Sequence, residues 1–321
     1  MSKNFSGAFA GYCERFIEQK RAIGYRYISE AISIGHFDAF SIKYKAADSL
    51  RLTKKLVEAW TAKRPHEAEK TRLLRIAVIR EFARFLISCG VEAYILPAQR
   101  KIALCNFKPY IFTPDEIARL FKAADKMERK TVSPYIHSIM PVLLRVLYGC
   151  GLRISEALNL RRCDVDIDRA VITVLNAKGD DNRLVAMSDS LKSVCAEYLK
   201  SIPELGDDAP FFPGRYGFTI DKRGIYSQYR KLLWAAGISH GGRGNGPRIH
   251  DLRHTFAVRA MEQLVDNGKD IYTTSPILSA YLGHKSLYAT QRYLRLTAEA
   301  YPKIAEKLEA AFGSVVPGRP S

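Results

Sequence analysis

Hydrophobic residues recur at helical spacing through the first hundred residues of the chain. The pattern predicts four helices, at 5–20, 30–44, 53–62 and 67–86. The last is the clearest, because its apolar residues fall on one side: Leu73, Ile76, Ala77, Phe82, Ala83 and Leu86. Its first turns are rich in polar and basic residues, among them Lys70, Thr71, Arg72 and Arg75.

The periodicity is lost between residues 97 and 112, a stretch that contains Pro97 and Pro109 and forms the candidate linker. After it, Thr113, Pro114 and Glu116 have the spacing of a helix start. The threonine can cap the helix, the proline suits the first helical position, and the glutamate completes a capping box. The pattern therefore predicts two domains, 1–106 and 107–321.

The second domain mixes helices with a hairpin. An apolar helix at 133–148 ends at a Gly-Cys-Gly turn, and a short helix follows at 153–160. Two strands, 170–177 and 182–187, flank a turn that begins at Lys178. The remaining segments are predicted to be helical, at 189–201, 222–236, 250–266, 275–282, 286–293 and 299–312. The predicted fold is mainly α, with a helical first domain and a mixed α+β second domain.

Composition supports a folded protein, since 47% of the residues are hydrophobic and 26% are charged. The N-terminus has no apolar core of a signal peptide, and no apolar run reaches the roughly 20 residues of a membrane span. Six cysteines are scattered without a CxxC pair, which argues against a zinc knuckle or a disulfide framework. We expect a reduced cytoplasmic protein that works at the nucleoid.

The net charge of +17 favours a polyanionic partner. Residues 1–106 hold 19 basic against 10 acidic residues, so about half of the excess lies in the first third of the chain. We therefore expect Lys70, Thr71, Arg72 and Arg75 to face nucleic-acid phosphates. The alternatives are an ordinary solvated helix face, since Lys and Arg are good helix formers, or a basic protein of another kind that binds ribosomes or acidic membranes.

Four short segments of the second domain combine residues that suit phosphate chemistry. They are Gly-Leu-Arg-Ile-Ser-Glu at 151–156, the turn lysine, His-Asp-Leu-Arg-His-Thr at 250–255, and Leu-Gly-His at 282–284 with a tyrosine nine residues later. Each segment alone has a common structural explanation, such as a surface ion pair or a helix cap. Together they provide six candidate residues, which are Arg153, Lys178, His250, Arg253, His284 and Tyr293.

In these motifs the second domain resembles the tyrosine recombinase, or phage integrase, family of site-specific DNA recombinases. The resemblance implies a SAM-like helical core-binding domain at 1–106 and a catalytic domain at 107–321. It also implies that the six candidates form the catalytic set. Lys178 has a competitor in Arg183, because the hairpin turn carries Asp180 and Asp181 where basic or small residues are more usual. Glu156 and Asp251 are interpreted as residues that orient the others.

The chemistry of these residue types agrees with the resemblance. Arg153 and Arg253 can pair bidentately with phosphate oxygens, and His284 can donate a further hydrogen bond. Lys178 can protonate the leaving 5′ oxygen, and His250 can move a proton to or from the tyrosine. Tyr293 is the candidate nucleophile. The arginines and the lysine supply the charge, so we expect neither a metal nor a cofactor.

The resemblance implies double-stranded DNA with paired core sites as the substrate, with a dimer on each site and a tetramer in the synapse. Strands would be exchanged through a Holliday junction, with an accessory or partner recombinase left open. The apolar stripe of the tail helix is expected to dock on a neighbouring protomer or on its own domain. Nothing resembling an arm-binding domain precedes the first helix, which favours a recombinase of the Xer or transposon kind. A type IB topoisomerase and a non-catalytic DNA-binding protein are the rival interpretations.

Overall fold

A computed structural model of the chain describes residues 5–44, 50–98, 109–129, 131, 133–175, 182–242, 246–269 and 271–283. The chain divides into two compact units, Met1–Asn106 and Phe107–Ser321. The described residues are mostly helical and include one small antiparallel sheet. The predicted fold class, mainly α with a mixed second part, is confirmed.

The described residues of the first unit form four helices around an aromatic centre. They are α1 (Ala10–Ala22), α2 (Ile28–Lys43), α3 (Lys54–Thr61) and α4 (Glu69–Ser88). Phe82 of α4 lies where three helices meet, with its ring centroid 5.4 Å from that of Phe16, 6.0 Å from Phe37 and 6.2 Å from Phe9. All four rings are fully buried, so this cluster holds the predicted apolar faces together.

The contacts of the arginines at the start of α4 contradict part of the prediction that this helix faces DNA. Arg75 donates from Nε and Nη2 to the carboxylate of Glu67, at 3.1 and 2.7 Å, and from Nη2 to the carbonyl of Ala62. Its side chain is 6% exposed and its guanidinium lies 5.1 Å from the ring centroid of Trp60. The prediction that Arg75 faces phosphate is therefore wrong, because its charge is buried in the corner between α3 and α4.

Arg72 belongs to the same corner. It donates from Nε to the carbonyl of Thr61 at 2.9 Å and from Nη1 to Glu69 at 3.0 Å, and its side chain is 27% exposed. Lys70 and Thr71 are exposed, and their contact with DNA stays a prediction.

The second unit begins with the predicted capping box. The Oγ1 atom of Thr113 accepts from the amide of Glu116, and the Glu116 carboxylate accepts from the amide of Thr113, at the start of α5 (Pro114–Asp125). The predicted linker extends too far, however. Phe112 is fully buried and its amide donates to Thr255, so the end of that stretch is part of the core.

After α5 the described residues form α6 (Ile136–Gly149), α7 (Ile154–Leu158), α8 (Asp189–Ser201), α9 (Lys222–Ala235), α10 (Asp251–Asp266) and α11 (Ile271–Leu282). Helix α6 is apolar along most of its length and packs against four of the other helices, α5, α7, α8 and α10. Helix α11 begins four residues before its predicted start. Pro276 favours a position in the first turn of a helix, so the sequence placed the start too late. The helices predicted at 286–293 and 299–312 lie outside the described residues.

The sheet has three strands in the order β1 (Val165–Asp166), β2 (Val171–Val174) and β3 (Arg183–Ala186). The predicted hairpin is confirmed, with Val174 opposite Arg183 and Val171 opposite Ala186. The two-residue strand β1 was not predicted, since so short a segment has no detectable alternation. Lys178 and its turn lie outside the described residues. In the part of the chain that is described, no helix is long and apolar enough to cross a membrane.

The corner of α3 and α4 generates a prediction about stability. Arg75→Ala leaves the buried carboxylate of Glu67 without its main partner, and we expect the free energy of unfolding to fall by about 3–5 kcal/mol. Lys70→Ala, one turn earlier on an exposed face, is the control and is expected to change it by less than about 0.5 kcal/mol. Urea denaturation of both variants measures the difference. Equal stability of the two variants would contradict a structural role for Arg75.

Candidate active site

The carboxylate of Glu156 lies among three arginines that come from different parts of the chain. Its Oε2 atom accepts from the amide of Arg153 at 2.8 Å, and its Oε1 atom accepts from Arg153 Nη1 at 2.6 Å. Arg183 donates from Nη2 to Oε2 at 2.8 Å and from Nη1 to Oε1 at 3.3 Å. The Nη1 atom of Arg253 is 3.8 Å from Oε2. We call Arg153, Arg183 and Arg253 the arginine cluster.

The charge of Glu156 is stabilised by this arrangement. Burial raises the pKa of its carboxyl group, but hydrogen bonds from Arg183 and Arg153 outweigh burial and lower the pKa to about 2. Glu156 is therefore ionised at neutral pH. A buried carboxylate in this position offsets the mutual repulsion of the guanidiniums around it.

The C-terminal end of α11 provides a second set of acceptors for the arginine cluster. Three successive carbonyls each accept from a different arginine, because the last carbonyls of a helix have no partner within the helix. Arg183 Nε donates to the carbonyl of residue 281 at 2.8 Å, Arg253 Nη2 to that of residue 282 at 2.6 Å, and Arg153 Nη2 to that of residue 283 at 2.9 Å. The partial negative charge of the helix end favours cations at this place.

Two glycines of the sequence motifs make these contacts sterically feasible. Gly151 has φ +61°, and a Cβ atom there would lie 2.4 Å from the ring of Phe256. Its carbonyl accepts from Arg253 Nη1 at 2.7 Å. Gly283 has φ +64°, and a Cβ atom there would lie 2.8 Å from Nη1 of Arg183. Both positions thus need the left-handed backbone and the small volume of glycine.

The three arginines differ in exposure. The side chain of Arg153 is 37% exposed, that of Arg183 13% and that of Arg253 1%. Arg153 is therefore the guanidinium that a ligand reaches most readily. Contact between a ligand and Arg253 requires a shift of the residues that cover it.

His250 lies immediately before α10, three residues from Arg253, so the two side chains fall on the same side of the first turn. Burial lowers the pKa of His250, and the charges of Arg253, Arg153 and Arg248 lower it further, to about 4. The imidazole is neutral at pH 7 and can accept a proton. Its ring centroid is 4.7 Å from that of His254.

Asp251 anchors the start of α10 on both sides. Its carboxylate accepts from the amide of Arg248 at 2.7 Å, and its carbonyl accepts from the hydroxyl of Thr255 at 2.8 Å. The same hydroxyl oxygen accepts from the amide of Phe112. Together with its ion pair to the Arg248 guanidinium at 3.5 Å, these contacts let Asp251 position the segment that carries His250.

Four of the predicted site residues, Arg153, Glu156, His250 and Arg253, are brought together. Lys178, His284 and Tyr293 lie outside the described residues, although His284 directly follows Gly283 in the chain. Arg183 was considered only as a competitor of Lys178. Strand alternation could have indicated that the Arg183 side chain points inwards, because Arg183 lies on the same face of β3 as the fully buried Val185. No group of three metal-ligating side chains occurs among the described residues.

Comparison with known proteins identifies the family. Residues 111–300 match the model of the phage integrase family. The putative integrase/recombinase y4rB of Sinorhizobium fredii is 31% identical over 310 residues, which cover 92% of this chain and 95% of that protein. The tyrosine recombinase XerC of Rhodospirillum centenum is 31% identical over 75% of this chain and 67% of that protein.

A solved structure, a lambda integrase dimer bound to a COC′ core site, has the same fold. Its TM-score is 0.62 at 15% identity, over 88% of this chain and 76% of that chain. The chain belongs to the phage integrase family of tyrosine recombinases. It is a site-specific recombinase, an enzyme that transfers DNA strands, and these relatives favour that interpretation over a topoisomerase.

The two shifted pKa values generate a prediction about acid stability. The unfolded chain protonates His250 below about pH 6.5, whereas the folded protein resists protonation until about pH 4. The unfolded state then binds more protons, so the free energy of unfolding falls as the pH drops through this window. Glu156 adds a second loss as the pH falls from about 4.5 towards 2.

Chemical denaturation between pH 7 and pH 4 tests the first window. We expect His250→Gln, which cannot titrate, to lose less stability than the wild type between pH 6.5 and pH 4. The same slope in both proteins would show that the pKa of His250 is not depressed in the folded state.

Proposed function

We propose that Tyr293 attacks the scissile phosphate while Arg153 and Arg253 hold its non-bridging oxygens. The observation that carries the proposal is the convergence of these two arginines, a hundred residues apart in sequence, on one carboxylate beside a neutral histidine. Guanidinium forks match phosphate oxygens and stabilise the charge that develops in the transition state. His284, one residue after the carbonyl that accepts from Arg153, donates a further hydrogen bond to the phosphate.

The reaction is a balanced transfer. The phenolic oxygen of Tyr293 forms a bond to phosphorus as the bond to the 5′ oxygen breaks, which gives a 3′-phosphotyrosyl link. The proton of the tyrosine passes to His250, and Lys178 gives a proton to the leaving 5′ oxygen. Attack by a 5′ hydroxyl of another strand reverses the step and joins the strands without an external energy source.

Tyr281 is a poor alternative nucleophile. Its hydroxyl donates to the carbonyl of Ala186 at 3.3 Å, and burial raises its pKa. Tyr288 is four residues from His284, whereas Tyr293 is nine residues away, as the resemblance requires.

The two units have separate proposed roles. Residues 1–106 form the core-binding domain and residues 107–321 the catalytic domain, and together they hold duplex DNA at paired core sites. A dimer assembles on each site and a tetramer in the synapse, where strands are exchanged through a Holliday junction. The lambda integrase structure is described as a dimer on a core site, which supports this assembly.

Helix α9 is the proposed DNA-contacting surface of the second unit. Four residues at steps of four form one exposed face, which we call the α9 stripe: Lys222, Tyr226, Arg230 and Trp234. Trp234 is 85% exposed, and the ammonium of Lys222 lies 6.0 Å from the ring centroid of Tyr226. Cations that alternate with aromatic rings suit phosphates and base edges, and a single helix fits the major groove.

The α9 stripe generates a prediction about affinity. Arg230→Gln removes one phosphate contact, so DNA binding is expected to weaken and the salt slope to fall by about 1. Lys200→Gln, which removes one exposed charge from α8, is the control and should leave both quantities unchanged. Fluorescence anisotropy at several salt concentrations measures them. Equal slopes for the wild type and Arg230→Gln would place α9 away from the DNA.

Tyr293→Phe tests the nucleophile, because the change removes one oxygen and keeps the ring. We expect the variant to bind its site normally and to form no covalent adduct on a nicked suicide substrate, as judged by SDS gel. Tyr288→Phe is the matched control and should form the adduct. An adduct that persists in Tyr293→Phe would refute the assignment, and plasmid relaxation without recombinant products would favour a topoisomerase.

A further inference from the structure

Arg183 is the member of the arginine cluster that has no part in the proposed reaction. We infer that it is a positioning residue, which holds Glu156 and the end of α11 so that Arg153 and Arg253 face the phosphate together. Arg183 itself does not contact DNA. The inference rests on the proposed roles of Arg153 and Arg253.

The contacts of Arg183 are directed towards the protein. Its Nη2 and Nη1 atoms donate to the two oxygens of Glu156, and its Nε atom donates to the carbonyl of Tyr281. The backbone of Gly283 packs so closely on the guanidinium that a Cβ atom there would lie 2.8 Å from Nη1. Nε, Nη1 and Nη2 of Arg183 therefore each have an acceptor within the protein, as expected of a structural bridge.

The bridge joins two elements that lead to the proposed catalytic residues. Arg183 begins β3, the strand that follows the turn with Lys178, and it holds the end of α11, which directly precedes His284. The link is reciprocal, because the hydroxyl of Tyr281 on α11 donates to the carbonyl of Ala186 on β3. A planar fork can hold a carboxylate and a carbonyl at once, whereas the single ammonium of lysine offers no such geometry.

The charge balance gives Arg183 a second effect on its neighbours. The cluster places three guanidiniums around one carboxylate. Because Glu156 also pairs with Arg183, it neutralises less of the charge of Arg153 and Arg253 than it would without Arg183. Glu156 accepts from Nη1 of Arg153 at 2.6 Å, and without Arg183 it would compete more strongly with the phosphate for that guanidinium.

The same contacts separate Arg183 from Lys178. A guanidinium does not lose its proton in proteins, so Arg183 is unsuited to protonate the leaving oxygen. Its donors are also turned towards Glu156 and the carbonyl of Tyr281. Arg183 is thus not a substitute for the hairpin lysine.

Arg183→Gln tests the inference, with Arg169→Gln as the matched control. Arg169 lies in the turn before β2 and its side chain is 85% exposed. We expect Arg183→Gln to bind its site like the wild type and to cleave a suicide substrate about 100-fold more slowly in a single turnover, the size of effect that a small misplacement produces. The control should cleave normally. A wild-type cleavage rate for Arg183→Gln would overturn the inference.

Arg183→Lys keeps the positive charge and serves as a second variant in case Arg183→Gln does not fold. Circular dichroism monitors the folding of both variants. We expect Arg183→Lys to fold and to cleave at a rate between those of the wild type and Arg183→Gln. If Arg183→Gln does not fold, a wild-type rate for Arg183→Lys overturns the inference.

Two further measurements distinguish positioning from other roles. If Arg183 acts through Glu156, the double variant Arg183→Gln, Glu156→Gln should cleave about as slowly as the slower single variant, and multiplied defects would contradict this. A substrate with sulfur at the 5′ bridging position needs no proton on its leaving group. It should not rescue Arg183→Gln, and a rescue would make Arg183 a proton donor.

The experiments distinguish failure of the inference about Arg183 from failure of the proposed function. A wild-type protein that forms its adduct at Tyr293, together with an Arg183→Gln variant that cleaves normally, overturns only the inference. A wild-type adduct at another residue overturns the proposed function itself.

Discussion

Like charges do not lie side by side in a protein unless an opposite charge holds them there, and the site of this recombinase depends on that constraint. The carboxylate of Glu156 binds Arg153 and Arg183 directly and lies 3.8 Å from Arg253. Its low pKa, about 2, shows how strongly the arginines favour the ionised form. The end of α11 adds three carbonyls, so each guanidinium has an anionic or dipolar acceptor on two sides.

Much of the surrounding fold serves these contacts. The turn after α6 needs glycine at 151 because its carbonyl accepts from Arg253 and Phe256 packs on it. Strand β3 points Arg183 inwards, and Asp251 secures the start of α10, where His250 and Arg253 are found. The described parts of three motifs, at 151–156, 250–255 and 282–283, thus contribute partners to one shared network.

The same physics explains why the charge pattern of α4 wrongly predicts that Arg75 faces DNA. Arg75 and Arg153 both pair with glutamates, but the side chain of Arg75 is 6% exposed and that of Arg153 is 37% exposed. Helix periodicity and the capping box at Thr113 were predictable because they depend on near neighbours in sequence. The burial of Arg75 against Trp60, the short strand β1 and the bridging position of Arg183 depend on partners distant in sequence, which no local pattern reveals. The candidate catalytic residues are predicted from their combination and not from any one of them.

The inferred role of Glu156 and Arg183 is to hold Arg153 and Arg253 in place for the phosphate. It is tested most directly by a crystal structure of the protein on nicked site DNA, with vanadate in place of the scissile phosphate. We expect Arg153 and Arg253 to donate to vanadate oxygens while Arg183 stays on Glu156 and the carbonyl of Tyr281. Arg183 on the vanadate, or Arg253 still on the carbonyls of Gly151 and Leu282 without contact to the vanadate, would contradict this role.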